Sequence, residues 1–292
     1  NFYKQYKLRE QIKKQFEHYL APAMVKKLQK NPELLRLGGD TRNMTYLFSD
    51  IRGFTPISEQ FKTDPQGLGK LINRYMTPMT DLVMRKEGTI DKYIGDALMA
   101  IWNAPLDVDN HAQLAIDTAM EMETELAKVN KDLYKDGLMP LSIGIGINTG
   151  DAVVGNMGSN QRFDYTVLGD SVNLAARLEA QTKEYGVFFM FTEHTLRKIS
   201  PPNNLVTLDK IAVKGQTDPV TIYTILKDAK QVRVINRMVD AYQNREWAEC
   251  AHQIQVMKEH NWNDTLAELY AERIKQPMPQ GDWDGVERKT SK

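Results

Sequence analysis

The chain has 292 residues, an apolar fraction of 41%, and 38 basic against 38 acidic side chains. That length suffices for one sizeable domain with appendages, whose core buries about 70 to 75% of its unfolded surface. The zero charge balance exerts no overall pull toward nucleic acid or a membrane surface, and the single Cys250 excludes an internal disulfide, as suits a reducing compartment.

No apolar run approaches the roughly 18 residues that span a bilayer, and no signal-peptide pattern is present. The chain begins at Asn1 without methionine, which points to a processed protein or a piece of something longer. Residues 1–30 are rich in lysine, with Ile12, Phe16, Tyr19 and Leu20 at helical spacing. They read as a basic amphipathic helix interrupted near Pro22, either packed on its own domain or acting as a dimerising connector.

After Pro32 and a break at Gly38-Gly39, a strand at Met44–Phe48 opens the main domain. The run Tyr46-Leu47-Phe48-Ser49-Asp50-Ile51-Arg52-Gly53-Phe54-Thr55 delivers a carboxylate, Asp50, into a glycine turn with free backbone amides, a way to hold an anion beside a metal ligand. A helix is predicted from Leu68 to Lys86, bent or divided by Pro78. Ile90 to Trp102 then reads as two strands about a Gly95-Asp96 turn, which puts a second carboxylate at a hairpin tip. Taken singly, each carboxylate is equally well a turn residue. Two carboxylates about 4 Å apart repel by roughly 4 kcal/mol at an effective dielectric near 20, so a meeting of the two needs a cation or a proton. Oxygen donors without Cys or His favour Mg²⁺ or Mn²⁺.

Asn110 caps a predicted helix to Lys131, and Leu141–Asn148 with Ala152–Asn156 read as a second hairpin around Thr149-Gly150-Asp151. Gly144, Gly146 and Gly155 imply close backbone approach, to a neighbouring chain or to a ligand. Ser171 to Thr182 is a predicted helix that projects Asn173 and Arg177 from one face. Strands near Phe188–Phe191, Val206–Val213 and Val220–Leu226 close an α+β domain with an antiparallel-rich sheet, and Lys214-Gly215 falls in the last turn. Val239–Met257 and Asp264–Lys275 read as a helix pair resembling one tetratricopeptide unit, followed from Pro277 by an extended or disordered tail.

Phe48-Ser49-Asp50-Ile51-Arg52-Gly53-Phe54-Thr55, Lys92-Tyr93-Ile94-Gly95-Asp96 and Gly169-Asp170-Ser171-Val172-Asn173-Leu174-Ala175-Ala176-Arg177 together resemble the catalytic domain of the class III nucleotidyl cyclases, in order and spacing. The likeness covers about residues 40–227 and implies a ferredoxin-like fold. It divides the chain into a helical connector (1–38), the catalytic domain (40–227), the helix pair (228–276) and the tail (277–292).

The resemblance further implies an adenylate cyclase that makes 3′,5′-cyclic AMP and pyrophosphate from ATP. Asp50 and Asp96, with the Ile51 carbonyl, match the ligands of two Mg²⁺ or Mn²⁺ ions per active site. One ion lowers the pKa of the attacking hydroxyl and the other holds the triphosphate. Arg177 matches the residue that stabilises the transition state and Asn173 the one that positions the ribose. Lys214, Arg162, Phe54 and Thr55 are the phosphate-side candidates. None of the five histidines falls in a motif, which disfavours a histidine base.

Lys92 and Thr166 occupy the purine-reading positions, where guanylate cyclases typically carry Glu with Cys. A lysine donates to adenine N1 and a threonine hydroxyl accepts from the exocyclic amine, while guanine presents the opposite pattern. The threonine resembles a subgroup linked to bicarbonate or carbon dioxide responsiveness. With one motif set, the family pattern implies a homodimer with shared sites, on the cytoplasmic side of a membrane-anchored or sensor-linked protein. The alternatives are a guanylate cyclase, or a catalytically silent nucleotide-binding dimerisation module. A diguanylate cyclase is disfavoured, because Gly38-Gly39-Asp40 continues into Thr41-Arg42 and precedes the first strand.

Overall fold

A computed structural model describes residues 3, 5–7, 10, 21–31, 37–212, 218–275 and 284–288. Within them a short helix α1 (Pro22–Lys30) leads into a mixed α+β body. The strands are β1 (Gly38–Ile51), β2 (Thr89–Ile94), β3 (Ala97–Trp102), β4 (Ile143–Gly158), β5 (Phe163–Leu168), β6 (Phe189–Thr192), β7 (Leu205–Ala212), β8 (Val220–Ile225) and β9 (Glu287–Arg288). They form one sheet in the order β2-β3-β1-β4-β6-β8-β7-β9, with β5 on the far half of β4. Among the described residues only the β4–β6 and β7–β9 pairings are parallel.

Alternation along the central strands assigns the two faces. Leu47, Leu98, Ala100 and Trp102, with Ile143, Ile145 and Ile147, face one core. That face is covered by α2 (Phe54–Gln60), α3 (Pro65–Arg85) and α4 (His111–Lys135). Asp64 caps α3 by accepting from the Gly67 amide at 3.0 Å. Pro78 sits inside α3 without dividing it: the buried stripe of Leu71, Tyr75, Met79, Leu82 and Val83 offsets a helix-interior proline cost of about 3 kcal/mol. Asn110 precedes α4, but its side chain makes no capping bond.

The residues between these on the strands, Met44, Tyr46, Met99 and Ile101, face the other way and pack against Ala152, Val154 and Val167. The β4–β5 arm therefore curls over this second face, where α5 (Asp170–Tyr185) also lies. The curl carries β5 back to β2 although the two are strands apart in the sheet.

The β1–β4 ladder overturns the expected hairpin and the expected break. Residues 143–158 form one continuous strand, because every residue from Gly38 to Ile51 pairs with it, and this ladder outweighs the turn chemistry of Thr149-Gly150-Asp151. The same ladder absorbs Gly38 and Gly39, expected to be a break. The glycines are closely approached by atoms of this chain itself. A Cβ on Gly146 would lie 2.2 Å from the Glu179 nitrogen of α5, and one on Gly155 would lie 2.2 Å from the Gly38 carbonyl. These glycines admit α5 and the arm.

A one-turn helix α6 (Glu193–Leu196) precedes β7, and β8 is followed by the helices α7 (Ala229–Gln243), α8 (Trp247–Glu259) and α9 (Asp264–Lys275). The expected helix from Val239 to Met257 is broken at Arg245, whose φ is +63°. These helices share a core with β7, β8 and α5 through Ile235, Met238, Ile254, Leu266 and Tyr270. Arg273 of α9 pairs with Asp209 of β7 at 2.8 Å, both almost fully buried, and its guanidinium lies 5.0 Å from the Tyr270 ring centre. Such a pair is costly to break from one side, which ties the helices to the sheet. Of the tail, Glu287–Arg288 adds to β7 as β9 and Val286 is buried. Among the described residues no helix is long and apolar enough to cross a membrane.

Candidate active site

The site begins where β1 ends. Asp50 is on the arm-facing side of the strand, in register with Gly144. Its Oδ1 accepts from the Ile51 amide at 2.9 Å, which orients the carboxylate. The turn that follows needs a left-handed residue, and Gly53 supplies φ +64° immediately before α2. Phe54 and Thr55 open that helix, and first-turn amides have no intrahelical acceptor.

Asp96 is in the turn between β2 and β3. The Ser49–Leu98 pairing draws this turn beside Asp50, so the two carboxyl groups come within hydrogen-bonding reach. Burial first, and then the neighbouring Asp50, push Asp96 up to about 6. A third carboxylate, Glu179 of α5, is pushed up to about 7 by burial and by the charges of Asp50 and Asp96, against the opposing Arg52 guanidinium. Tyr75 closes the floor: its hydroxyl is 3.0 Å from Ser49 Oγ, and burial raises its pKa.

A second group forms between β2 and β5. The Thr166 hydroxyl donates to Asp91 Oδ2 at 2.8 Å, and the Lys92 ammonium is 3.4 Å from Asp91 Oδ1. Asn173 and Arg177 are exposed on α5, one turn apart. Arg162 is exposed at the turn into β5, where its carbonyl accepts from the Ser159 amide. Lys214 lies outside the described residues.

Residues 39–227 match the sequence family described as the adenylate and guanylate cyclase catalytic domain. The chain belongs to this cyclase family. It is 39% identical over 192 residues to an adenylate cyclase of Anabaena cylindrica, a match covering 63% of this chain and 37% of that one. Two solved cyclases superpose well. The guanylyl cyclase Cya2 is 36% identical, with a TM-score of 0.58, over 65% of this chain and 94% of that one. The adenylyl cyclase CyaB from P. aeruginosa is 32% identical, with a TM-score of 0.60, over 66% and 98%. The chain thus spans little more than a third of the Anabaena protein's length.

Cyclases of this family depend on divalent metal ions, and the donors here suit one. Two carboxylates that repel each other, beside the Ile51 backbone, form an oxygen-only set that calls for a hard cation. Among the described residues no group of three or more His, Cys, Asp or Glu forms a protein-only cage.

In the metal-free protein the raised Asp96 and Glu179 bind protons more tightly folded than unfolded. Their contribution to stability is therefore full below about pH 4 and is lost as pH rises through about 6 to 7. Mn²⁺ competes with those protons, so it is expected to raise the melting temperature more at about pH 7.5 than at about pH 5. Equal shifts at both values would remove these carboxylates as the binding groups.

Sequence reasoning reached Asp50, Asp96, Lys92 and Thr166 but missed Glu179, Arg52 and Asp91. Glu179 had a signal: it sits two residues past Arg177, on the helix that Gly144 and Gly146 admit to the sheet. Strand alternation hides Asp91, because it places Asp91 and Lys92 on opposite faces.

Proposed function

We propose that this domain is an adenylate cyclase that converts ATP to 3′,5′-cyclic AMP and pyrophosphate. The meeting of Asp50 and Asp96 at the end of β1, beside the Ile51 backbone, carries this reading. The Anabaena relative and CyaB are adenylate cyclases and Cya2 is a guanylyl cyclase. Overall likeness therefore leaves the base open, and the local chemistry of Lys92 and Thr166 favours adenine.

In the reaction the ribose 3′-oxygen attacks the α-phosphorus. The bond from that phosphorus to the bridging oxygen of the leaving pyrophosphate breaks, and the hydroxyl proton passes to solvent. Asp50, Asp96 and the Ile51 carbonyl would hold two divalent ions, which supply Lewis acidity and charge compensation when bound. Arg177 meets the charge that grows on the α-phosphate oxygens, and Asn173 orients the ribose. The opening amides of α2 at Phe54 and Thr55, together with Arg162 and Lys214, bind the phosphates. Lys92 and Thr166 read the base.

The site is shared between two copies of the chain, the metal-binding carboxylates from one and Lys92, Thr166, Asn173 and Arg177 from the other. Tyr93, Ile94 and Leu168 support this reading, being each at least half exposed near the base-reading pair, where a partner copy would cover them. An upstream sensor or membrane anchor ahead of the basic lead-in, and a response to bicarbonate, belong to the same proposal.

The test is turnover of the purified chain with ATP and with GTP, each in Mg²⁺ and in Mn²⁺. Metal-dependent cyclic AMP with little cyclic GMP is expected. Predominant cyclic GMP would establish the guanylate reading that the likeness to Cya2 favours.

A further inference from the structure

We propose that Asp91 sets the base preference of the site by fixing the direction of the Thr166 hydroxyl, a positioning role that rests on the reading of Lys92 and Thr166 as the base-contacting pair. The observations lie in a β-bulge. Ile90 pairs with Ala100 but Lys92 pairs with Met99, so β2 carries one residue more than β3 at Asp91. A bulge re-aims a side chain, and here Asp91 turns inward, with its side chain 1% exposed, to the same side as Lys92.

A hydroxyl has one proton to give and two lone pairs. The Thr166 proton is committed to Asp91 Oδ2 at 2.8 Å, so toward a ligand the hydroxyl can only accept. The other carboxylate oxygen, Oδ1, is buried without a hydrogen-bond donor of its own and faces the Lys92 ammonium at 3.4 Å. An ammonium can only donate. Asp91 thereby converts an ambivalent threonine into an acceptor beside a donor. Adenine offers the complement, an acceptor at N1 and a donor at the exocyclic amine. Guanine offers N1–H and O6 and leaves both protein groups mispaired.

Asp91→Asn is nearly isosteric and has a directed effect. The Lys92 ammonium, a charged donor stronger than the Val167 backbone amide that also donates to the carboxylate, draws the amide oxygen to its own side, so the amide NH₂ faces Thr166. The threonine then accepts from the amide and turns its own proton toward the ligand. Adenine meets a donor with its own donor, and guanine O6 finds a partner. The removed negative charge strengthens binding of both triphosphates alike, so the informative quantity is the ratio of affinities.

The experiment measures equilibrium binding of 3′-deoxy-ATP and 3′-deoxy-GTP, which cannot cyclise, to the full chain with Mn²⁺. The proteins compared are the wild type, Asp91→Asn, Thr166→Ser, Thr166→Val and the Asp91→Asn/Thr166→Val double variant, each checked by thermal melting. The wild type and Thr166→Ser are expected to prefer the adenine analogue. Asp91→Asn is expected to lower the adenine-to-guanine ratio by about tenfold or more, and by less than about threefold when Thr166 is already valine.

An unchanged ratio in Asp91→Asn, an equal loss for both analogues, or the full shift in the valine background overturns the proposal. If Asp91→Asn does not fold, Thr166→Val decides, and retention of the wild-type ratio there overturns it. Adenine-selective binding without any cyclic product would instead overturn the catalytic reading and leave the role of Asp91 standing.

Discussion

Asp50→Asn is expected to reduce cyclic AMP formation by at least about 10³-fold at saturating ATP and Mn²⁺. The loss corresponds to about 4 kcal/mol of barrier, the scale of charge stabilisation that a bound metal supplies in such reactions. The substitution keeps the shape and removes only the charge. The Ile51 amide that now donates to Asp50 Oδ1 can donate to the asparagine oxygen instead, so the turn into α2 keeps its anchor. With Asp50 neutral, one of the influences that raise Asp96 and Glu179 is gone, and both relax toward ordinary carboxylate behaviour. The metal-free variant should therefore melt no lower than the wild type, while the Mn²⁺-induced rise in melting temperature should largely vanish. A variant that melts normally yet keeps more than about a tenth of wild-type turnover at high Mn²⁺ would show that Asp50 is not an essential metal ligand.

That pair was legible in the sequence for a simple reason. Asp50 comes at the end of an apolar run and Asp96 in the tight turn of an apolar hairpin, and alternation together with that turn is enough to bring the two together. What hid were features decided between distant segments. Thr149-Gly150-Asp151 has the composition of a turn, and only its pairing with Asn43, Met44 and Thr45 on β1 makes it strand interior. The sequence marks no strand at β5 and singles out only Thr166 within it, because Phe163–Leu168 gains its order from the β4 ladder and the curl of the arm. Arg245 offers no glycine or proline to mark the end of α7, yet it takes the positive φ that ends it. Asp91 is the sharpest case. Its neighbour Lys92 was singled out, but a bulge against β3 cannot be seen from β2 alone, and without the bulge Asp91 would point away from Thr166.

In the proposed shared site one copy of the chain does not suffice. Asp50 and Asp96 are held close to Glu179 and Arg52, all on elements of the same sheet and helix. Arg177, although only two residues from Glu179 in sequence, is on the exposed side of α5. A helix presents neighbours two apart on different faces, so the residue that faces inward to the carboxylates and the residue that faces outward divide the labour. Glu179 lies near this copy's carboxylates, and in the proposed dimer the exposed Arg177 serves another copy's.

Arg177→Ala should then lower kcat by about 10³ to 10⁵, the range for a guanidinium that meets developing charge in phosphoryl transfer. Arg177→Lys should restore only part of it, because an ammonium lacks the bidentate fork. The decisive form of the test mixes inactive Asp50→Ala with inactive Arg177→Ala. Random exchange at equal amounts makes about half of the dimers mixed. In each mixed dimer one site collects both lesions and the other collects neither, so about a quarter of wild-type turnover should return. If every site were built within one chain, each site would keep one lesion and activity would stay at the background of the single variants. Subunit exchange is verified independently, by labelling the two variants differently and isolating the doubly labelled dimer. A doubly labelled dimer without turnover would place Arg177 and Asp50 in the same site of the same copy.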